Sequence, residues 1–185
     1  MTPEQLHVCM PYSSRFNCNR FAQPITDAMA EFGIDTLERK AFFLAQIAHE
    51  SMSLACVAEI ASGSAYEGRR DLGNTEVGDG IKYKGHGLIQ TTGRANHMRV
   101  SERLNVPFDE IVEWLQTPVG AARSAGMFWQ DHDLNHTADT NDLRGNTRII
   151  NGGYNGLAER DRRLAEARVG LRSFVDFSDV VGGVV

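Results

Sequence analysis

The chain has 185 residues, 42% of them hydrophobic and 23% charged, with a formal net charge of −5. That length suits a single domain over residues 1–185, large enough to bury about 70% of the surface its unfolded form exposes. No apolar run approaches the roughly 20 residues of a membrane span, so no stable membrane insertion is expected, and the lack of a basic block speaks against nucleic acid as a partner.

The amino terminus, Met1-Thr2-Pro3-Glu4-Gln5, has neither the basic flank nor the apolar stretch of a secretory signal, so synthesis and retention in the cytoplasm are expected. Thr2-Pro3 offers a helix cap with proline at the first helical position. Cys9, Cys18 and Cys56 are odd in number and lack metal-ligand spacing, which reads as reduced thiols. Ile25 to Phe32, closed by Gly33, reads as a short second helix. Leu37 to Ala58 is the longest periodic stretch and is expected to end near Glu59, ahead of the break at Ser62-Gly63-Ser64.

From Gly63 to Gly93 the chain is glycine-rich and polar, which predicts loops with a small hairpin. Arg69, Arg70, Lys82 and Lys84 in that stretch read as a solvated face. Helices are expected over Ala95–Leu104, Asp109–Leu115 and from Thr117-Pro118 to Gln130, then over Asn141–Ile150 and Leu157–Leu171, with Gly152, Gly153 and Gly156 forming the turn between the last two. The tail, Ser173 to Val185, is apolar and either straps the core or frays. The expected fold is mainly α, with two lobes and a groove beside the glycine-rich segment.

Glu50 is the chemically telling residue. At helical spacing it shares a stripe with Phe43, Ile47 and Leu54, where packing alone would place an apolar side chain. Burial there would raise its pKa toward the range of a general acid. Hydrolysis of a glycosidic bond needs a second group on the opposite face, for which Glu59 and Glu67 are the candidates. Within one continuous helix Glu59 would lie about 13.5 Å along the axis from Glu50 and on the other side, beyond the roughly 6.5–9.5 Å of an inverting pair. Glu59 therefore serves only if the helix ends or bends before it. Glu67, in Tyr66-Glu67-Gly68-Arg69, can fold back over a groove or be neutralised by an arginine. Glu59 is placed slightly ahead.

Other polar residues have plainer readings. His132 and His136 lack a third ligand at convincing spacing, so no metal and no cofactor is expected. His49 reads as a satisfied half-buried histidine, and Trp114, Phe128 and Trp129 as core.

His49-Glu50-Ser51, then Tyr83-Lys84-Gly85-His86-Gly87-Leu88-Ile89-Gln90-Thr91-Thr92, then Ile150-Asn151-Gly152-Gly153 and Ala158-Glu159-Arg160 together carry a resemblance to the family-nineteen glycoside hydrolases. Within them the chain resembles the compact endolysins of bacteriophages that attack Gram-negative cell walls, a likeness to which Asp71-Leu72-Gly73-Asn74-Thr75 and Gly78-Asp79-Gly80 also contribute. The resemblance implies Glu50 as catalytic acid, Thr92 as holder of the attacking water, and Tyr83, Gln90, Asn96, Asn151 and Arg160 as substrate-binding residues. It leaves Glu59 and Glu67 both open as the base. It further implies a monomeric, lysozyme-like or chitinase-like hydrolase of peptidoglycan glycan strands, without a separate wall-binding domain. Such an enzyme would be released from the infected cell through a separate membrane pore to act in the periplasm. Chitinase activity, a non-catalytic glycan-binding role and lytic transglycosylation are the alternatives. Two departures stand out: Met52-Ser53 where the family commonly has Gly-Gly, and His86 where it has arginine.

Overall fold

The computed structural model describes the backbone of residues 1–181 and the side chains to residue 174; the expectation for the end of the tail lies outside the described residues. Among the described residues, the α-helices in chain order are α1 (Pro3–Cys9), α2 (Arg15–Glu31), α3 (Leu37–Glu50), α4 (Asp79–Lys82), α5 (Arg94–Leu104), α6 (Ile111–Leu115), α7 (Pro118–Asp131), α8 (Leu134–Asp139), α9 (Leu143–Asn151) and α10 (Leu157–Val181). Among the described residues, none of these helices is long and apolar enough to cross a membrane.

The core forms around α3. Every residue from Ala41 to Ala48 is buried, and a helix apolar on all sides has to sit inside the others. It packs along α10 and touches α8, while α2 packs on α7 and α1 closes against both α2 and α10. Phe43 meets Trp129 of α7 edge to face at 5.3 Å, so Trp129 is core as its periodicity predicts.

Several elements differ from the sequence reading. α2 begins at Arg15 rather than Ile25: Ser14 caps it by accepting from the Asn17 amide, and Pro24 lies inside the helix. α8 goes unseen in the sequence because it is one short turn reached through Asp133 in the left-handed region. α10 runs past Leu171 to Val181. The expected hairpin reduces to two isolated antiparallel bridges, Ala58 with His86 and His86 with Thr91.

The largest difference is at α3, which ends at Glu50 rather than near Glu59. Ser51 stops it. Its hydroxyl donates to the Ile47 carbonyl and accepts from the Leu54 amide at 2.8 Å. Met52, Ser53 and Leu54 then follow with φ of 52°, 57° and 68°. Three consecutive left-handed residues without glycine cost roughly 1–2 kcal/mol each. The turn leaves Met52 exposed and drives Ser53 and Leu54 back into the interior.

Candidate active site

Glu50 is the last residue of α3, so its side chain stands at the open end of the central helix. The expected apolar surroundings are replaced by an ion pair. Arg160 of α10 donates through Nη2 to Glu50 Oε1 at 2.5 Å and through Nη1 to the Oε1 of Gln46, one turn back on α3. Arg160 is fully buried whereas the Glu50 side chain keeps 18% of its surface open. A buried guanidinium has to be paired, and here its partner is the carboxylate that faces out. Arg160, which the resemblance implies as substrate-binding, is buried beneath Glu50.

His49 reaches Glu159 at 3.2 Å, and its pKa is lowered by burial first and by nearby Arg160 second. The ring is half-buried, as its sequence reading has it. Gly156, at φ +75°, passes so close that a β-carbon there would lie 2.4 Å from the ring. The turn after α9 is thereby laid over His49, next to Glu50. Asn151 is the exposed last residue of α9, and Gly152 takes the left-handed capping position.

The early end of α3 removes the geometric objection to Glu59. The Glu59 amide donates to Gly85 O at 2.8 Å, and its carboxylate accepts from the Tyr66 hydroxyl at 3.1 Å and from the Gly85 amide at 3.1 Å. Burial, and then the Glu59 carboxylate, push the Tyr66 hydroxyl's pKa upward, which keeps it a donor. His86 bridges Ala58 on one side and Thr91 on the other, so the segments that carry Glu59 and Thr92 lie on the two sides of the one that carries Gly85. The Gln90 amide lies over Gly85: a β-carbon there would fall 2.7 Å from Gln90 Oε1. Gln90 Nε2 donates to Gly87 O at 2.8 Å, and the Thr92 hydroxyl donates to Gln90 O at 2.9 Å. Asn96 Nδ2 donates to Thr92 O at 2.8 Å and the residue stays exposed.

Glu67 is engaged differently. Its two carboxylate oxygens accept from the Gly78 amide at 2.7 Å and the Gly80 amide at 2.9 Å, which makes it a clasp between two loops. Tyr83, expected to bind substrate, is 1% exposed. It stacks on Phe108 at 5.5 Å and supports the motif from below. The Asp71–Gly80 stretch is likewise scaffold. Asp79, 3% exposed, grips Arg94 through two hydrogen bonds of 2.8 Å. The Arg94 guanidinium holds the Asp79 carboxyl below its usual range. Asn74 ties the Arg94 amide to the Tyr66 carbonyl.

His86, standing where the resemblance expects arginine, points inward. Its Nδ1 lies 3.0 Å from His97 Nε2, and His97 Nδ1 lies 2.8 Å from Gly93 O. A carbonyl only accepts, so His97 carries its proton on Nδ1, leaving Nε2 to accept from His86 Nδ1–H; both rings are neutral. Burial brings each pKa down to about 4, with Lys84 adding to the shift at His86 and Glu59 opposing it. Sequence reading missed His97 and Gln46. The signal for Gln46 was a lone amide inside the apolar run from Ala41 to Ala48, four residues before Glu50. Among the described residues no group of acidic, histidine or cysteine side chains is arranged to hold a metal.

A buried central helix ending in an ion-paired carboxylate, beside a glycine-rich segment that carries a second one, belongs to a mainly helical, lysozyme-like and chitinase-like fold. In sequence the chain is similar, over part of its length, to a family-nineteen glycoside hydrolase domain protein, and in fold it is similar to family-nineteen chitinases. A glycosyl hydrolase family 19 domain-containing protein of Haemophilus influenzae is 34% identical over 104 residues, covering 55% of this chain and 49% of that protein. The chain thus matches about half the length of that curated relative. No family model matches the chain.

Among solved structures, chitinase C from Streptomyces griseus superposes with a TM-score of 0.72 at 18% identity, over 92% of this chain and 76% of that one. A bacterial family 19 chitinase gives 0.66 at 18% identity, over 90% and 94% of the two chains. A class IV family GH19 chitinase from Zea mays gives 0.60 at 21%, over 87% and 81%.

Proposed function

We propose that this chain is a glycoside hydrolase that cleaves the β-1,4 bonds of bacterial peptidoglycan, with Glu50 as general acid and Glu59 as general base. The observation that carries the reading is the pair of bridges from His86 to Ala58 and to Thr91, which brings the segments of Glu59 and Thr92 to the two sides of Gly85. The Thr92 hydroxyl has committed its proton to Gln90 O, so it meets a water molecule only as an acceptor, and so does the Glu59 carboxylate. A water that donates one hydrogen to each has its free lone pair turned away from both, toward a sugar bound beside Gln90.

Attack on the anomeric carbon then passes a proton to Glu59 while Glu50 protonates the leaving oxygen, with inversion. Arg160 stabilises the carboxylate that Glu50 becomes. In this scheme Asn96 and Asn151, exposed near the two ends of the site, contact the glycan beside Gln90. Tyr83 and Arg160 act from beneath, and Glu67 holds a loop.

The setting follows the same reading: a monomeric phage-type endolysin, made in the cytoplasm of an infected cell, reaching the periplasm through a separate pore and needing no cofactor. Chitin is the second substrate to consider, because the solved structures it resembles are chitinases. Mass spectrometry of soluble products from Gram-negative peptidoglycan and from chitin oligomers separates the cases. Fragments ending in reducing N-acetylmuramic acid are expected. Anhydro-terminated fragments would replace the hydrolytic mechanism by a one-acid transglycosylation, and products from chitin alone would make the enzyme a chitinase.

A further inference from the structure

Next to Thr92 and Asn96 a cavity of about 290 Å³ opens between α5 and α7. Leu72, Ile89, Met127, Phe128 and Ile150 supply the apolar part of its lining, beside the polar Thr91 and Ser124. Its mouth carries Arg99, whose Nη2 donates to Asp131 Oδ2 at 2.7 Å. The Arg99 side chain is 54% exposed and that of Asp131 20%, so one carboxylate steadies a guanidinium that stays more than half open at the edge of the cavity. Four residues along α5, Arg103 donates to Gln130 Oε1 at 3.0 Å, adding a second cation on that face. His132 lies flat against Phe128, ring centroids 4.0 Å apart, and walls the other side. In a chain of net charge −5, a half-exposed arginine held at a partly apolar pocket, beside the residues proposed to contact the glycan, is a selective feature.

A neutral, uniform polymer such as chitin offers nothing for that guanidinium. The lactyl-peptide substituent on alternate sugars of peptidoglycan does, since it presents methyl groups close to the sugar and a carboxylate a few bonds further out. We infer that the cavity between α5 and α7 is a specificity pocket for this acidic, methyl-bearing peptide, with Phe128 and Met127 receiving the methyl groups and Arg99 the carboxylate. The inference rests on the proposed glycosidase reading of the adjoining site. It extends recognition from the sugar backbone to the substituent that distinguishes the two polymers.

The test compares kcat/KM on peptide-bearing glycan strands, on the same strands stripped by an amidase, and on chitohexaose, for the unaltered protein, Arg99→Gln and Phe128→Ala. The unaltered protein is expected to favour peptide-bearing over stripped strands by about 5-fold or more, the scale of one partly shielded ion pair. Arg99→Gln should lose that preference while keeping its rate on stripped strands, and Phe128→Ala should weaken it. Equal rates on both strands for the unaltered protein, or a preference intact in Arg99→Gln, would overturn the pocket alone. No cleavage of any of the three substrates would overturn the glycosidase reading and the pocket with it.

Discussion

At the scale of single residues, the site rests on partners that fix donors and acceptors before any substrate arrives. Arg160 fixes one oxygen of Glu50, Tyr66 and the Gly85 amide fix Glu59, and His86, one of the pair of neutral histidines, bridges the segments beside Glu59 and Thr92. The histidine pair has a consequence for pH. Both rings are buried and held down to about 4, against roughly 6.5 in an unfolded chain. Between those values the unfolded state binds more protons than the folded one, so stability falls as the pH drops from about 6.5 toward 4. Each ring contributes up to about 3 kcal/mol to this loss, and His49, also lowered, adds in the same direction.

His97→Gln keeps an acceptor for His86 and removes one titrating ring. Chemical denaturation at several pH values is expected to give a clearly shallower stability slope between pH 4 and 6.5 for this variant. An unchanged slope would show that the pair is not held neutral.

At the scale of elements, legibility followed how each segment announces its ends. Helices with a hydroxyl cap and a proline, α1 and α7, were readable from their first residues, and the Tyr83–Thr92 motif marked the loop that gathers Gln90 and Thr92. The end of α3 was not readable. Its stop is a serine followed by three left-handed residues with ordinary side chains, whereas sequence patterns look for glycine there. Read without that stop, the sequence carries the helix on to Glu59 and the apolar stripe past Glu50 to Leu54, whereas α3 ends at Glu50. Glu67 and Tyr83 were selected by motif, but what decides their roles is what they bond to: backbone amides for one, Phe108 and the interior for the other.

The left-handed run is itself testable. Met52 is 64% exposed and has φ +52°, so Met52→Gly sacrifices little packing and relieves a conformation that glycine adopts freely. A gain of about 0.5–1 kcal/mol is expected, seen as a rise of roughly 1–4 °C in Tm. A fall in Tm would mean that the turn is not strained at this residue.

At the scale of the whole molecule, the buried helix α3 and the long helix α10 are the frame, and their contact delivers Arg160 to Gln46 and Glu50. The loop-rich stretch from Ser51 to Gly93 brings the second carboxylate up beside the Gln90–Thr92 turn, stiffened by the Asp79–Arg94 pair and by Asn74. This division of labour explains why a chain only 18% identical to chitinase C keeps its fold over 92% of its length: the frame depends on burial, which many apolar sequences satisfy. The active-site chemistry depends on a few bonds, which are specific.

The most direct test is the release of reducing ends from purified peptidoglycan by the unaltered protein, Glu50→Gln, Glu59→Gln and Glu67→Gln, each first checked for an unchanged melting profile. Glu50→Gln and Glu59→Gln are expected to lose about 10²–10⁴-fold in rate while Glu67→Gln stays within a few-fold of the unaltered protein. A folded Glu50→Gln protein with near-normal activity would contradict the central assignment, and loss in Glu67→Gln with Glu59→Gln active would move the base to Glu67.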